Sequence, residues 1–352
     1  DGSYVLGTQA VTVNNVAPTA TVSGSGTTDE GSVYTLTVGA VSDPGADTRT
    51  GYTIDWGDGS VASFTPAQWA AAAGSFTHTF ADGASSSTIS VSTADEDGSY
   101  VLGTQAVTVN NVAPSAAVSG SATTDEGSVY TLTVGAVSDP GADTRTGYTI
   151  DWGDGSVASF TPAQWAAAAG SFTHTFADGA SSSTISVSTA DEDGSYVLGT
   201  QAVTVNNVAP TGSLTGAGDT NEGATYLLSI SASDAAGIAD PLSYSIDWGD
   251  GSAAQVLTAA ALAALGGQVG HVFADDQDGP VNATPRNVVV TVTDGDGGST
   301  DLAKTVTVHN VAPSATVSGA ATTDEGSVYT LTVGAVSDPG ADTRTGYTID
   351  WG

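Results

Sequence analysis

The feature that most constrains the fold of this chain is an internal repeat of 96 residues. The segment DGSYVLGTQAVTVNNVAP begins at Asp1, Asp97 and Asp193, and residues 1–96 differ from residues 97–192 at three positions. A period of this length is too long for one turn of a solenoid and is typical of an independently folding domain. The sequence therefore predicts an array of domains joined end to end.

A further copy of the repeat has diverged, and it shows which motifs persist. The hexapeptide DWGDGS recurs at Asp247 and begins again at Asp350, which lengthens the spacing from 96 to 103 residues. The persisting motifs are NVAP, an acidic residue before glycine, SD, DWGDGS, FAD and VTVTDxDG. We divide the chain into the C-terminal strand of a truncated repeat (1–17), two complete repeats (18–113 and 114–209), a diverged repeat (210–312) and the N-terminal part of another truncated repeat (313–352).

The chain is strongly acidic, with 38 acidic and 5 basic residues and a formal net charge of −33. This charge repels nucleic-acid phosphates and anionic membrane surfaces, so we expect no nucleic-acid partner and no membrane insertion of this segment. Charged residues make up only 12% and hydrophobic residues 39%, which indicates folded domains. The absence of cysteine excludes disulfides and thiolate metal sites. Because methionine is also absent and the chain stops at DWG inside a predicted strand, we expect a longer parent protein.

Alternation of apolar and polar residues predicts β-strands in residues 18–113. Tyr34, Leu36 and Val38 alternate with threonines, as do the apolar residues around Ile54. Gly, Asp and Ser turns separate about seven such runs, a pattern typical of an antiparallel sandwich. The sequence therefore predicts an all-β fold of tandem immunoglobulin-like β-sandwich domains.

One short helix is predicted to interrupt the strands of each repeat. Thr65 is placed as N-cap, Pro66 as the first helical residue, Gln68 as the partner that completes a capping box, and Gly74 as the terminator. Residues 258–266 predict the corresponding helix of the diverged repeat.

Two tryptophans are candidates either for the core or for stacking on a sugar. Trp56 alternates with the core residues of its strand, so we expect it to pack inside. We also expect Trp69 in the core. An exposed plane formed by Trp69 and Tyr100 would instead favour carbohydrate binding.

The ordered motifs resemble the polycystic kidney disease (PKD) domain. They are DWGDGS, then HTFADG, then a strand that ends in TADEDG, then VTVNNVAP, and the order holds across essentially the whole chain. The TPAQWAAAAG helix and the serine-rich loops depart from a typical member, which favours a bacterial PKD-like subfamily. The resemblance implies non-enzymatic extracellular modules, often in tandem on bacterial surface proteins or attached to secreted hydrolases. It also implies Ca²⁺ near the N-terminal linker, which some members hold.

The residues do not favour catalysis. The sequence has neither a cysteine nor a GxSxG motif. A histidine recurs just before the FAD motif, where a histidine usually makes structural hydrogen bonds. The three copies are His78, His174 and His271. Asp55 and Asp58 lie in a predicted hairpin without a cleft, and we expect Asp58 with the following glycine to form its turn. We therefore expect no enzyme.

Acidic loops at one end of each sandwich predict a calcium site. If successive strands alternate in direction, the SDPGADT and DEDG loops meet beside the linker that enters the same repeat. Their carboxylates and the linker amides are the hard oxygen ligands that Ca²⁺ takes. The candidate ligands are Asn15, Asp43, Asp47, Asp95, Asp97, Asn111, Asp139, Asp143, Asp191, Asp193, Asp234, Asp294 and Asp296.

The opposite end of the preceding repeat is expected to bring further acids to the same linker. Asp29 and Asp58 belong to this set, together with second-tier candidate ligands in TTDEG and FADG. Like charges a few ångströms apart repel by roughly 1 kcal/mol in water and by several at an effective dielectric constant near 20, so counter-ions would keep the junction together. The logic resembles that of cadherin linkers in architecture only. The second-tier candidates are Glu30, Asp82, Glu126 and Asp178.

Two interpretations of these acids stay open, as do two functions. Asp, Asn and Gly are also ordinary turn formers, which need no metal. The first function is a spacer or stalk in a bacterial adhesin-type surface protein, with neighbouring repeats as partners and Ca²⁺ at the linkers. The second is a carbohydrate- or protein-binding accessory module of a secreted hydrolase, with a surface glycan or protein as partner. Both place the chain outside the cell.

Overall fold

The computed structural model describes residues 1–277 and 282–352. Strands account for almost all regular structure in this part of the chain. Contacts between Cα atoms divide the chain into two compact units, which we describe separately. One unit comprises residues 1–120, 131–172 and 184–201, and the other comprises residues 121–130, 173–183 and 202–352. The repeat boundaries given above remain predictions.

The first repeat lies within the first unit and forms eight strands and one helix. These are β1 (Val22–Gly24), β2 (Thr27–Asp29), β3 (Val33–Val38), β4 (Gly51–Asp55), β5 (Val61–Phe64), α1 (Pro66–Ala71), β6 (Ser75–Thr79), β7 (Ser85–Ala94) and β8 (Ser99–Asn110).

These strands form two sheets, with the orders β1-β3-β6 and β2-β8-β7-β4-β5. All pairings are antiparallel except that of β2 with β8, in which Thr28 lies opposite Val109. The strand β2 was not predicted, because three residues are too few to show an alternation of apolar and polar side chains.

The apolar sides of the two sheets form one core. In β3, the side chains of Tyr34, Leu36 and Val38 are buried while the intervening residues are exposed. Ile54 of β4 and Ile89 of β7 are fully buried in the same cluster. The predicted all-β immunoglobulin-like sandwich is thus confirmed.

The helix α1 begins as the sequence predicts. The Thr65 side chain accepts a hydrogen bond from the backbone N–H of Gln68, and the Gln68 side chain accepts one from the N–H of Thr65. The helix ends before the predicted terminator, since Ala73 (φ 49°) and Gly74 (φ 79°) are both left-handed.

The DWGDGS segment forms the turn between β4 and β5, with one difference from the prediction. The left-handed residues are Gly57 (φ 79°) and Gly59 (φ 92°), whereas Asp58 does not have a positive φ. Asp58 contributes through its side chain, whose Oδ1 accepts a hydrogen bond from the N–H of Ser60 at 2.9 Å.

Trp56 of this repeat lies in the core, and Trp69 packs against it. Trp56 is 3% exposed. Trp69 is half-buried and stacks on Tyr52, with ring centroids 4.3 Å apart and planes at 8°. Its other side meets Phe76. Trp69 is therefore not part of an exposed plane with Tyr100, which was the feature expected of a carbohydrate-binding module.

The second repeat has strands and a helix at corresponding positions. They are β9 (Val118–Gly120), β10 (Thr123–Asp125), β11 (Val129–Val134), β12 (Gly147–Asp151), β13 (Val157–Phe160), α2 (Pro162–Ala168), β14 (Ser171–Thr175), β15 (Ser181–Ala190) and β16 (Ser195–Asn206). Within the first unit, β12 pairs with β13 and β15, and within the second unit, β10 pairs in parallel with β16.

The diverged repeat lies within the second unit and keeps the two-sheet arrangement. Its sheets have the orders β17-β19-β22 and β18-β24-β23-β20-β21, which correspond to those of the first repeat. The elements are β17 (Thr211–Thr215), β18 (Asp219–Asn221), β19 (Thr225–Ser233), β20 (Ser243–Asp247), β21 (Gln255–Thr258), α3 (Ala259–Ala264), β22 (Gln268–Val272), β23 (Ala283–Thr293) and β24 (Ser299–His309).

The two end segments contain little regular structure. Residues 313–352 contain the pair β25 (Val317–Gly319) and β26 (Leu331–Val333). The strand predicted in residues 1–17 is not formed. Its copy β8 pairs along its length with β7.

The alternation of buried and exposed side chains along the strands predicts how much stability is lost when a core residue is truncated. Ile246 in β20 is fully buried, so Ile246→Ala should destabilise the diverged repeat by about 2–5 kcal/mol. Val256→Ala on the neighbouring strand, where Val256 is 71% exposed, should change stability by less than about 0.5 kcal/mol. Hydrogen exchange of peptides from this repeat, whose sequence is distinct, measures both changes. Equal costs would contradict the core assignment.

Candidate metal centre

Acidic side chains from consecutive repeats meet at the linkers between them. In three groups, four acidic residues each place one ligand oxygen within 4.8 Å of the others. We call these the linker groups. They are Glu30, Asp82, Asp143 and Asp193 (first); Glu126, Asp178, Asp240 and Asp296 (second); and Glu222, Asp275, Asp276 and Asp342 (third).

A buried glutamate anchors the first linker group. Glu30 directly follows β2, and its backbone N–H donates to the carbonyl of Asn110 at 3.0 Å. Its side chain is completely buried. Oε1 accepts a hydrogen bond from the N–H of Val112 at 2.7 Å, whereas Oε2 is buried without a hydrogen-bond partner. The glutamate thus holds the linker with one oxygen and leaves the other available.

The same anchor recurs at the other two linkers. Oε1 of Glu126 accepts from the N–H of Val208 at 2.8 Å, and Oε1 of Glu222 accepts from the N–H of Val311 at 2.7 Å. Both glutamates are 1% exposed. The arrangement is therefore a property of the repeat, which the diverged copy keeps.

The SDPGADT loop of the second repeat lies against this glutamate. The N–H of Ala142 donates to the carbonyl of Ala81 at 2.8 Å, a backbone hydrogen bond between consecutive repeats. Gly141 lies so close to Glu30 that a Cβ atom there would be 2.6 Å from the carboxyl carbon. This contact places Asp143, two residues later, in the linker group.

Asp143 also belongs to a second acidic group, formed within its own repeat. Asp139, Asp143 and Asp191 place ligand oxygens within 4.8 Å of one another, and we call this set a loop group. Oδ1 of Asp191 accepts from the N–H groups of Asp193 and Gly194 at 3.0 Å, and its Oδ2 is buried without a hydrogen-bond partner. Both carboxylate oxygens of Asp143 are likewise buried and unpartnered.

One basic side chain faces the loop group. Arg145 Nη2 lies 3.2 Å from Oδ2 of Asp139, whose side chain is 3% exposed. The first repeat repeats this pair with Arg49 and Asp43 at 3.5 Å. Each guanidinium neutralises one carboxylate of its loop group and leaves two.

The linker contributes a further oxygen. Asn111 Nδ2 donates to Oδ2 of Asp193 at 3.0 Å and to the hydroxyl of Tyr196 at 2.8 Å. Its Oδ1 is buried without a hydrogen-bond partner. Buried polar atoms are almost always hydrogen-bonded, so this collection of unpartnered oxygens needs an explanation.

Crowding of carboxylates changes their protonation. Burial, followed by the charges of Asp139 and Glu30, raises the pKa of Asp143 to about 7. Burial and the charges of Asp82 and Asp191 also raise the pKa of Asp193. These acids lack the compensating positive charge that an ionised cluster requires.

The first repeat has a loop group without a linker glutamate. Asp43, Asp47 and Asp95 come together as their copies in the second repeat do. Asp97 is exposed and donates its backbone N–H to Asp95. Asn15 Nδ2 donates to the hydroxyl of Tyr100 at 2.7 Å, as Asn111 does to Tyr196.

In the diverged repeat, the acids predicted at the linker surround one that the sequence analysis missed. The charges of Asp294, Asp234 and Asp296, after burial, raise the pKa of Asp240. Oδ2 of Asp294 accepts from Asn207 Nδ2 at 3.1 Å. Asp240 was missed because its loop, SDAAGIAD, is two residues longer than SDPGAD and shifts the aspartate.

The third linker group was also missed, although the motifs pointed to it. Glu222 lies in TNEG, the counterpart of TTDEG, and Asp342 repeats Asp143. Asp275 comes from FAD, and Asp276 follows it without a counterpart in the other repeats.

Two further acids, Asp29 and Asp58, were expected beside the first linker. Oδ1 of Asp29 accepts from Asn110 Nδ2 at 3.0 Å. Oδ2 of Asp58 lies 2.6 Å from His78 Nε2. Asp29 therefore contacts the linker residue Asn110, whereas Asp58 is held by His78 within its own repeat, and its expected place in the cluster was wrong.

The recurring histidines have structural roles. His78 stacks on Trp56 at a centroid distance of 4.6 Å, and His271 stacks on Trp248 at 4.4 Å. His271 Nε2 lies 2.7 Å from Asp250. Burial would raise the pKa of Asp250, but hydrogen bonds from Ser252 and His271 lower it to about 2.

Comparison with known proteins gives structural likeness without a family. No family model matches the chain, and no curated protein matches its sequence. Among solved structures it is similar to Sidekick-1 immunoglobulin domains 1–5, at 13% identity and a TM-score of 0.35, over 85% of this chain and 60% of that one. It is also similar to extracellular domains 3–5 of Drosophila OTK, at 12% identity and a TM-score of 0.26, over 85% of this chain and 99% of that one. A third similar structure is an I-band fragment of titin, at 9% identity and a TM-score of 0.30, over 84% of this chain and 98% of that one. The chain thus spans about 60% of the Sidekick-1 fragment, and identities this low concern the fold alone.

The described residues contain no helix that is long and apolar enough to cross a membrane.

The raised pKa of Asp143 predicts a pH dependence of the metal-free chain. Between the ordinary value of 3.8 and about 7, the folded state binds a proton that the unfolded state has released. The free energy of unfolding contributed by this group should therefore fall as pH rises through that window and level off above it. Denaturant unfolding in chelator at a series of pH values measures the slope.

Asp143→Asn should flatten this slope, whereas Asp324→Asn, which removes an exposed carboxylate, should not. The same slope in the Asp143→Asn variant and in the parent chain would contradict the assignment.

Proposed function

We propose that this chain is a non-catalytic extracellular spacer, in which tandem immunoglobulin-like repeats are stiffened by Ca²⁺ bound at their linkers. The PKD-like character and a place in a bacterial adhesin-type surface protein belong to the same proposal. Neighbouring repeats are then the principal partners of each domain. Repetition supports the spacer role, because each copy adds length.

The observation that carries the calcium part is the buried, unpartnered oxygen of Glu30 beside three other carboxylates. Leaving a buried acceptor unsatisfied is costly, and an uncompensated buried charge costs more. A divalent cation would supply the missing partner. Oε2 of Glu126 is unpartnered in the same way at the second linker, whereas Oε2 of Glu222 accepts the N–H of Asp276 at 3.1 Å at the third.

The donor set fits Ca²⁺. Every candidate ligand is a carboxylate or an amide oxygen, as a hard cation prefers, and the chain contains no cysteine. At the first linker, Glu30, Asp82, Asp143 and Asp193 would hold the ion, with Asn111 Oδ1 nearby. Bound Ca²⁺ would screen the carboxylates from one another and tie the Glu30 end of one repeat to the loop of the next.

Calcium should raise the melting temperature of the chelator-treated chain. At a Ca²⁺ concentration 100 times Kd, one site stabilises the folded state by about 2.7 kcal/mol. For a domain of this size each kcal/mol raises Tm by about 4–8 °C. Calorimetry measures the shift, and small-angle X-ray scattering should show a narrower range of conformations. Mg²⁺ at equal ionic strength serves as control. If millimolar Ca²⁺ produces neither a rise in Tm nor a narrower range of conformations, the proposal is wrong.

Removing ligands from one junction should reduce this response. Asp82→Asn combined with Asp193→Asn should lower the Ca²⁺-dependent gain in Tm while the other linkers keep theirs. Asp324→Asn combined with Glu325→Gln removes the same two charges from exposed positions of the TTDEG motif and should leave the gain unchanged. If both pairs reduce the gain equally, net charge rather than a site governs the effect.

A further inference from the structure

The linker group and the loop group at the first junction overlap in one residue. Asp143 places an oxygen within 4.8 Å of Glu30, Asp82 and Asp193, and also within 4.8 Å of Asp139 and Asp191. We infer that this junction holds two divalent cations side by side, bridged by the carboxylate of this shared aspartate. This inference rests on the calcium binding proposed above and adds the number and arrangement of the ions.

The shared carboxylate has both oxygens available. Neither Oδ1 nor Oδ2 of Asp143 has a hydrogen-bond partner, although both atoms are buried. A carboxylate that serves one ion and also accepts backbone hydrogen bonds, as Asp191 does, keeps one oxygen for the protein. Asp143 makes no such use of either oxygen, which suits a bridge between two cations.

Each group also has its own buried, unpartnered acceptor. In the linker group it is Oε2 of Glu30, whose residue is 0% exposed. In the loop group it is Oδ2 of Asp191, whose residue is 9% exposed. These atoms lie in two different groups, so one ion does not account for both.

The charges favour two ions over one. The two groups together contain six carboxylates, and Arg145 is the basic side chain that pairs with them. With one divalent cation, three negative charges would remain uncompensated, and with two, one would remain. Buried and half-buried carboxylates at these separations require that compensation.

The two positions differ in what builds them. Asp139, Asp143 and Asp191 all belong to the second repeat, so the loop position exists within one repeat. The linker position also needs Glu30 and Asp82 of the preceding repeat. Only the linker ion therefore joins the repeats, and the loop ion fixes Asp143 for it.

The diverged repeat has a comparable set of acids but a different central aspartate. Asp240 belongs to the second linker group, and its pKa is raised by the charges of Asp294 and Asp234 after burial. Oδ2 of Asp240 and Oδ2 of Asp234 are both buried and unpartnered. The loop of this repeat differs in length and sequence, and Oδ1 of Asp240 accepts the backbone N–H of Gly295, so Asp240 lacks the two free oxygens of Asp143.

Counting bound ions in single-ligand variants of the full chain tests the inference. Native mass spectrometry and equilibrium dialysis with radioactive Ca²⁺ give the number per chain. Glu30→Gln should lose one ion, Asp139→Asn should lose one, and the double variant should lose two with Asp143 intact. Asp143→Asn should also lose two. Glu325→Gln, the same change at an exposed glutamate of the same motif, should lose none.

The outcomes separate this inference from the proposed function. If Glu30→Gln, Asp139→Asn and their combination each lose the same single ion, one cation serves the junction, and the two-ion inference is wrong while calcium stiffening stands. If Glu30→Gln loses none, the linker position does not exist. If the parent chain binds no Ca²⁺, both ideas fall. Circular dichroism of each variant confirms that a lost ion does not reflect unfolding.

Discussion

The junction depends on the carboxylate of Glu30, whose two oxygens have different roles. One oxygen accepts the N–H of Val112 and so fixes the linker as it leaves the first repeat. The other is buried where Gly141 leaves room for it, and it is thereby directed at the acids of the second repeat. The same side chain adds to the crowding that raises the pKa of Asp143, and it leaves one ligand oxygen available.

Local patterns made most of the fold predictable. Alternation of side chains identified β3 because its two sides differ in burial, and the TPAQ segment identified α1 because a capping box is a local arrangement. What sequence reasoning missed depends on partners far along the chain. The parallel strand β2 exists through its pairing with β8.

The candidate site was predictable to the extent that strand direction determines which loops meet. Strand direction alone predicts that Asp139, Asp143 and Asp191 lie at the same end of the second repeat. It could not choose among acids at the other end of the preceding repeat, because that choice depends on side-chain partners. Asp58 is taken by His78, whereas Glu30 is buried with a free oxygen. It also ranked Glu30 below the loop aspartates, since burial of a glutamate in a turn has no periodic signal.

Because Glu30 and Asp143 have copies in every repeat, each domain carries both halves of a joint, one at either end. Such an interface is heterologous and does not close on itself, so any copy fits behind any other. Duplication of one repeat in the gene would then create a complete new joint without a compensating mutation, and loss of one would restore the former joint. The near-identity of residues 1–96 and 97–192 is what such an exchange leaves behind. The length of the array can thus evolve independently of its mechanics.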